Sequence, residues 1–236
     1  MELDQIIQLH DYPINDPRFR QQCKQRLDDK GALVLSNFLL SEAIEMIGKE
    51  GSEKQSQAFY SNSDHNIYLK APDPQYSMQH PRNQPVQSSK GCITDDQISA
   101  DSPLRTLYDS AGFRDFLAAV LGEQQLHNYA DPLSSINLHY AAEGQELGWH
   151  FDESSFAITL LIQSPEQGGL FEYIQNMRDA DRGEMNYEGA AEVLAGRRQS
   201  KTLEAGAGTL TLFRGRNAMH RVTPVGGNKT RMLVVL

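Results

Sequence analysis

From Ser134 onward the chain runs through six short apolar stretches, SSINLHY, SFAITLLIQ, GGLFEYI, GTLTLF, MHRVTPV and RMLVVL, separated by glycine-rich or polar turns. Short runs rich in β-branched and aromatic residues at this spacing are strands, and such a series closes on itself as a sandwich or barrel. The expected fold is therefore mainly β with flanking helices, built on a double-stranded β-helix or jelly-roll core. One interruption, Met185 to Gly196, contains NYEGAAEVLAG and predicts a short helix between two strands.

The first half has a different character. Asp16-Pro17 ahead of RFRQQCKQRLDDKG predicts a helix with an acidic N-cap, proline at its first position and Gly31 just past its end. Ala32 to Ser36 follows as a strand, and Ser41-Glu42 caps a helix running to about Lys49, with Ala43, Ile44 and Ile47 on one face. Asp101-Ser102-Pro103 opens a further helix through Leu107, Phe113 and Leu117 to a stop at Gly122. Between these lies 71–90, APDPQYSMQHPRNQPVQSSK, whose prolines and amides sustain neither period. It predicts a long loop, placed as a flap over a pocket. At 236 residues one domain is expected, with 1–131 as helical and β support and 132–236 as the core.

Charge and cysteine usage exclude several classes. The net charge is −9 and no basic stripe is present, which argues against nucleic acid as a partner. Cys23 and Cys92 stand apart without CxxC spacing, so neither a disulfide framework nor a thiolate zinc site is indicated, and a reducing cytoplasm is expected. The N-terminus lacks the basic start and apolar run of an export signal, and no apolar run is long enough to cross a membrane.

Chemistry concentrates at Trp149-His150-Phe151-Asp152. On an extended backbone His150 and Asp152 point to the same side, and both can reach one ion. His220, in the strand-like run Met219 to Val225, supplies a third ligand. Two histidines and a carboxylate form the facial set of non-haem iron(II) oxygenases, which leaves adjacent positions open for a 2-oxoacid and dioxygen. Arg231 opens the apolar strand RMLVVL, where a buried cation needs an anionic partner. A planar guanidinium suits the distal carboxylate of 2-oxoglutarate. Arg221 is a weaker candidate, because alternation turns it away from the side that His220 uses.

These stretches, GWHFDESSFAITLLIQSPEQGGLFEYI from Gly148 and GTLTLFRGRNAMHRVTPV from Gly208 together with Arg231, resemble the jelly-roll 2-oxoglutarate/iron(II) oxygenases. The resemblance is to the branch containing free-amino-acid hydroxylases and radical halogenases. It implies His150, Asp152 and His220 as iron ligands, Arg231 as the 2-oxoglutarate anchor, and Tyr140 as a phenol supporting the co-substrate. It also implies Fe(II), 2-oxoglutarate and dioxygen as the cofactor set. Related halogenases carry a small residue where Asp152 stands, so that chloride can take the vacated position; a carboxylate there implies hydroxylation. The implied substrate is a small molecule, a free amino acid or a derivative, with Trp149, Glu153 and Arg82 nominated to meet it. The family ordinarily continues beyond the apolar strand in which this sequence stops at Leu236, so either the chain is shortened or its last strand ends early. Competing readings are a peptide or protein hydroxylase with the same metal set, a non-enzymatic cupin-like binding protein, and a zinc hydrolase using the same donors.

Overall fold

The computed structural model describes residues 1–131 and 133–236; Pro132, where the sequence changes character, lies outside the described residues. Helix α1, Pro17–Lys30, begins where Asp16 accepts hydrogen bonds from the Arg18 and Phe19 amides at 2.7 and 3.0 Å. It ends at Gly31, whose φ of 67° is the left-handed conformation that glycine adopts without strain. Helix α2 spans Ser41–Lys54 and outruns the expected end near Lys49. Its last turn is held by tertiary contact: a Cβ on Gly51 would lie 2.8 Å from Leu138 Cδ2, so the helix backbone lies close against the sheet. The helix expected over 101–122 is two, α3 (Pro103–Asp109) and α4 (Ala111–Leu121). Ser110 separates them because its extended backbone, with ψ of 118°, breaks the first helix while its hydroxyl caps the Phe113 amide of the second. Helix α5, Tyr187–Leu194, is the insertion anticipated between strands.

The strands are β1 (Ala32–Leu35), β2 (Phe59–Asn66), β3 (Pro85–Ile93), β4 (Asn137–Ala141), β5 (Leu147–His150), β6 (Ala157–Gln163), β7 (Gln167–Gly168), β8 (Phe171–Ile174), β9 (Lys201–Leu203), β10 (Thr209–Phe213), β11 (Met219–Val222), β12 (Val225–Gly226) and β13 (Arg231–Val235). Apart from the small β12–β7 pair, they form one curled sheet in the order β1-β10-β6-β13-β4-β3-β5-β11-β8-β9, with β2 paired to β3 off that path. All pairings are antiparallel. The expectation of a mainly β jelly roll is met.

Strand β3 corrects the expected loop over 71–90. Its last six residues, 85–90, are strand, and β3 joins the two walls of the curl, pairing Cys92 with His139 of β4 and Ser88 with Leu147 of β5. Pro85 is tolerated because it opens the strand. Segment 71–84 is irregular and is held by Asn83, which accepts from the Asp73 amide and donates to the Asp73 and Tyr76 carbonyls at 2.7 to 2.8 Å.

Two apolar layers position the curl. The larger lies between α1–α4 and the outer face of β1, β10, β6, β13 and β4, where Leu138, Tyr140, Leu160, Leu212 and Val234 meet Ile47, Phe113 and Phe116. The smaller packs Ile67, Tyr68, Phe151 and Met219 against Met177, Ala190 and Val193 beside α5. Strand alternation sends the intervening residues to the inside of the curl. Among the described residues no helix is long and apolar enough to cross a membrane.

Candidate metal centre and its cavity

The register of β5 against β11 sets His150 directly opposite His220, with ring centroids 4.2 Å apart. Asp152 lies just past the end of β5, with its Oδ1 3.8 Å from His150 Nε2 and 3.4 Å from His220 Nε2. The three ligand atoms fall within 4.8 Å of one another. Each imidazole is oriented by its other nitrogen: His150 Nδ1 lies 2.7 Å from the Gly148 carbonyl and His220 Nδ1 3.0 Å from that of Ala218. A carbonyl only accepts, so Nδ1 carries a proton in each ring and Nε2 is the atom aimed at the carboxylate.

The backbone around Asp152 is tied down on both sides. Its amide donates to the Gly215 carbonyl at 3.2 Å, and its own carbonyl accepts from Arg178 Nη2 at 3.1 Å. Arg178 is itself fixed, donating from Nε to the Arg216 carbonyl at 2.7 Å and covering the Phe151 ring at 4.3 Å. A Cβ on residue 215 would fall 1.8 Å from Asp152 Oδ2, so only glycine lets the chain pass this close.

Electrostatics favour a cation here. Burial pushes His150 down to about 3, reinforced by the charge on His220, so it is a neutral donor near neutrality. Burial alone would raise the Asp152 carboxyl, but the hydrogen bond and charge of His220 outweigh it and hold the group below its ordinary value. Asp152 Oδ2 is buried without any hydrogen-bond partner. A carboxylate with Oδ1 set against two imidazole Nε2 atoms and Oδ2 left without a partner is the environment a divalent metal would satisfy, and this donor set suits iron(II).

The inside of the curl is a cavity of about 660 Å³ reached by all three ligands. Arg231 lines it, and burial lowers its guanidinium to about 10 with no carboxylate among the charges acting on it. Lys90 and His139 line it as well, and neither was nominated from the sequence. Lys90 sits in a polar run without strand alternation, and His139 beside Tyr140, whose parity on β4 is set only by its distant partners. The far side is bounded by Leu126, His127, Asn128 and Tyr129, between α4 and β4. That connection, rather than 71–84, covers the cavity; the latter packs its Tyr76 and His80 rings on Tyr187 of α5.

The remaining nominated residues are not gathered at the metal. Tyr140 points out of the curl into the helical layer, fully buried, and its hydroxyl donates to the Gly51 carbonyl at 2.8 Å. The pairing of Arg231 with Ala141 and of Met232 with Tyr140 fixes that parity: the residues that share Arg231's side of the sheet are Ala141 and His139. Trp149 alternates away from His150, and its ring is covered by Arg221 at 4.8 Å; Arg221 is paired in turn with Glu172 at 2.7 Å. Glu153 is exposed and ion-paired with Lys70. Arg82 donates to the Ala71 carbonyl at 3.1 Å and lies 5.7 Å over the Tyr68 ring, while its Nη1 is buried without a partner.

A family model described as Halogenase D matches residues 16–236. The chain belongs to the Halogenase D family. Among solved structures, an oxidoreductase of the 2OG-Fe(II) oxygenase family from Burkholderia pseudomallei superimposes with a TM-score of 0.56 at 13% identity, over 92% of this chain and 88% of its own. A Pseudomonas putida prolyl-4-hydroxylase gives 0.56 at 13%, over 92% and 97%. The epimerase SnoN in complex with Fe3+, alpha ketoglutarate and nogalamycin RO gives 0.60 at 12%, over 93% and 83%. No curated protein matches the chain. At these identities the superpositions establish the jelly-roll fold alone; the family match and the His-Asp-His centre are what this Halogenase D family member itself carries toward its chemistry.

Proposed function

We propose that this Halogenase D family member hydroxylates an unactivated C–H bond of a small molecule, a free amino acid or a close derivative, and does not halogenate it. The observation that carries the reading is Asp152. Its carboxylate completes the ligand set and is confined by the Gly215 backbone, so no metal position is left vacant for a halide by a small residue. His150, Asp152 and His220 would hold the iron and Arg231 the distal carboxylate of 2-oxoglutarate. Bound iron, with 2-oxoglutarate and dioxygen, supplies an oxidant strong enough to break an unactivated C–H bond.

The protein's own contribution is placement and dryness. Phe171 and Phe213 pack on the His220 ring at centroid distances of 5.4 and 4.9 Å, walling one side of the centre with apolar surface. The bounded cavity supports a small substrate rather than an extended peptide. Arg82 and Glu153 do not line this cavity, so contacts to an amino-acid substrate fall to the residues that do. Trp149 supports the motif from behind through its stack with Arg221.

The test is an anaerobic titration of Fe(II)-loaded protein with 2-oxoglutarate, followed by oxygen and a panel of free amino acids in buffers with and without chloride. The expected result is amino-acid-stimulated succinate with a product heavier by one oxygen, independent of chloride. A chlorinated product would overturn the reading, and stimulation by peptides alone would replace the small substrate with a chain.

A further inference from the structure

Two cations, the buried Arg231 and the half-buried Lys90, face the cavity, and only Arg231 has so far been given a ligand. Lys90 lies on β3 and Arg231 on β13, with β4 between them. Cys92 and Leu233 both stand opposite His139, so these three share a row directed into the curl. One pair further, Ala141 stands opposite Arg231, and continuing the β3 register from Gly91–Tyr140 places Lys90 on Ala141's other side. The cations thus flank one methyl group at a common level, two strand spacings or about 10 Å apart at Cα. Both side chains are long enough to converge over it.

Among the described residues neither cation is paired with a carboxylate. The one ionisable group felt by Lys90 is the Cys92 thiol, and Arg231 feels burial alone. His139, between them, is held neutral, first by burial and then by the charges of both. Unpaired buried cations oppose folding unless a ligand completes them, and a single carboxylate flanked by an ammonium and a guanidinium meets that need.

We infer that Lys90 is a second positioning cation for 2-oxoglutarate, gripping from β3 the same distal carboxylate that Arg231 grips from β13. The inference rests on Arg231 being the co-substrate anchor. It makes the site selective for 2-oxoacids that carry a second carboxylate, because one lacking it leaves two cations unpaired.

The experiment titrates 2-oxoglutarate into anaerobic Fe(II)-loaded wild type, K90M, K90R and R231M, reading the visible metal-to-ligand charge-transfer band. K90M is expected to weaken 2-oxoglutarate binding about ten- to hundredfold with Fe(II) affinity unchanged, and K90R to recover most of the loss. Apo K90M should melt no lower than wild type, since an unpaired half-buried charge has been removed, yet gain less on adding 2-oxoglutarate. Wild-type affinity in K90M overturns the role of Lys90. If R231M is weakened while K90M is not, the anchor stands without its neighbour; if neither is weakened, both assignments fall. A second measurement needs no variant: saturating 2-oxoglutarate should protect Lys90 of the Fe(II)-loaded wild type from acetic anhydride, mapped by mass spectrometry, and unchanged labelling overturns the inference.

Discussion

Replacing Tyr140 by phenylalanine separates a structural phenol from a co-substrate ligand. The hydroxyl is fully buried, faces away from the cavity, and donates at 2.8 Å to the carbonyl of Gly51, in the last turn of α2. That turn lies so close to the sheet that a Cβ on Gly51 would meet Leu138 at 2.8 Å and Met232 Sδ at 3.2 Å, so the carbonyl has no room to draw in a replacement water. Losing the bond costs about 1 to 1.5 kcal/mol, and the ring itself is retained without a new cavity. For a domain of this size that lowers Tm by about 2 to 5 °C. The assay pairs a thermal melt with 2-oxoglutarate titration of the Fe(II)-loaded protein, and the expected affinity is that of wild type. A tenfold loss of affinity with an unchanged melt would refute the placement of Tyr140 in the helical layer and return it to the co-substrate.

Other outcomes follow from the same geometry. Asp152→Ala should remove turnover and weaken Fe(II) binding without unfolding the chain, as read by succinate release and metal titration; wild-type-like turnover would take the carboxylate out of the metal set. Gly215→Ala should do nearly the same from a residue that touches no metal, because its methyl would sit 1.8 Å from Asp152 Oδ2 and must displace the carboxylate. Arg231→Met should chiefly raise the 2-oxoglutarate Kd, with Fe(II) binding intact. His139 is held down to about 3 in the folded apo-protein, first by burial, against an ordinary value near 6.5. Below about pH 6.5 the unfolded chain therefore takes up a proton that the folded one refuses, and stability falls as pH drops, by up to about 1.4 kcal/mol per pH unit from this residue. Urea unfolding at pH 7, 6 and 5 should show that slope, reduced by one proton in His139→Leu; an unaltered slope would mean that His139 is not held neutral.

How much was legible in the sequence follows the range of the interactions involved. The metal set was readable because His150 and Asp152 are local, two positions apart at a strand end, and because α1 carries its own cap and stop in Asp16, Pro17 and Gly31. The break at Ser110 was hidden because the apolar spacing runs through it, and only the serine's competing cap ends α3. Strand β3 reads as loop since Pro85, Gln87, Ser88 and Ser89 lack apolar alternation; its order comes from partners at 138–140 and 147. The side on which Tyr140 falls is set by the pairing of β4 with β13, some ninety residues away, and nothing in LHY chooses between the two parities.

That dependence on distant partners has a kinetic side. The sheet pairs β1 with β10 and β3 with β4 and β5, joining segments up to about 180 residues apart, and the curl is closed only when β3 docks on both walls. A nascent chain can pair β2 with β3 early but holds β1 unpaired until β10 has been made, close to the end of synthesis. Such a topology folds slowly and exposes apolar edges meanwhile, so yield on heterologous expression should depend strongly on temperature and chaperone supply.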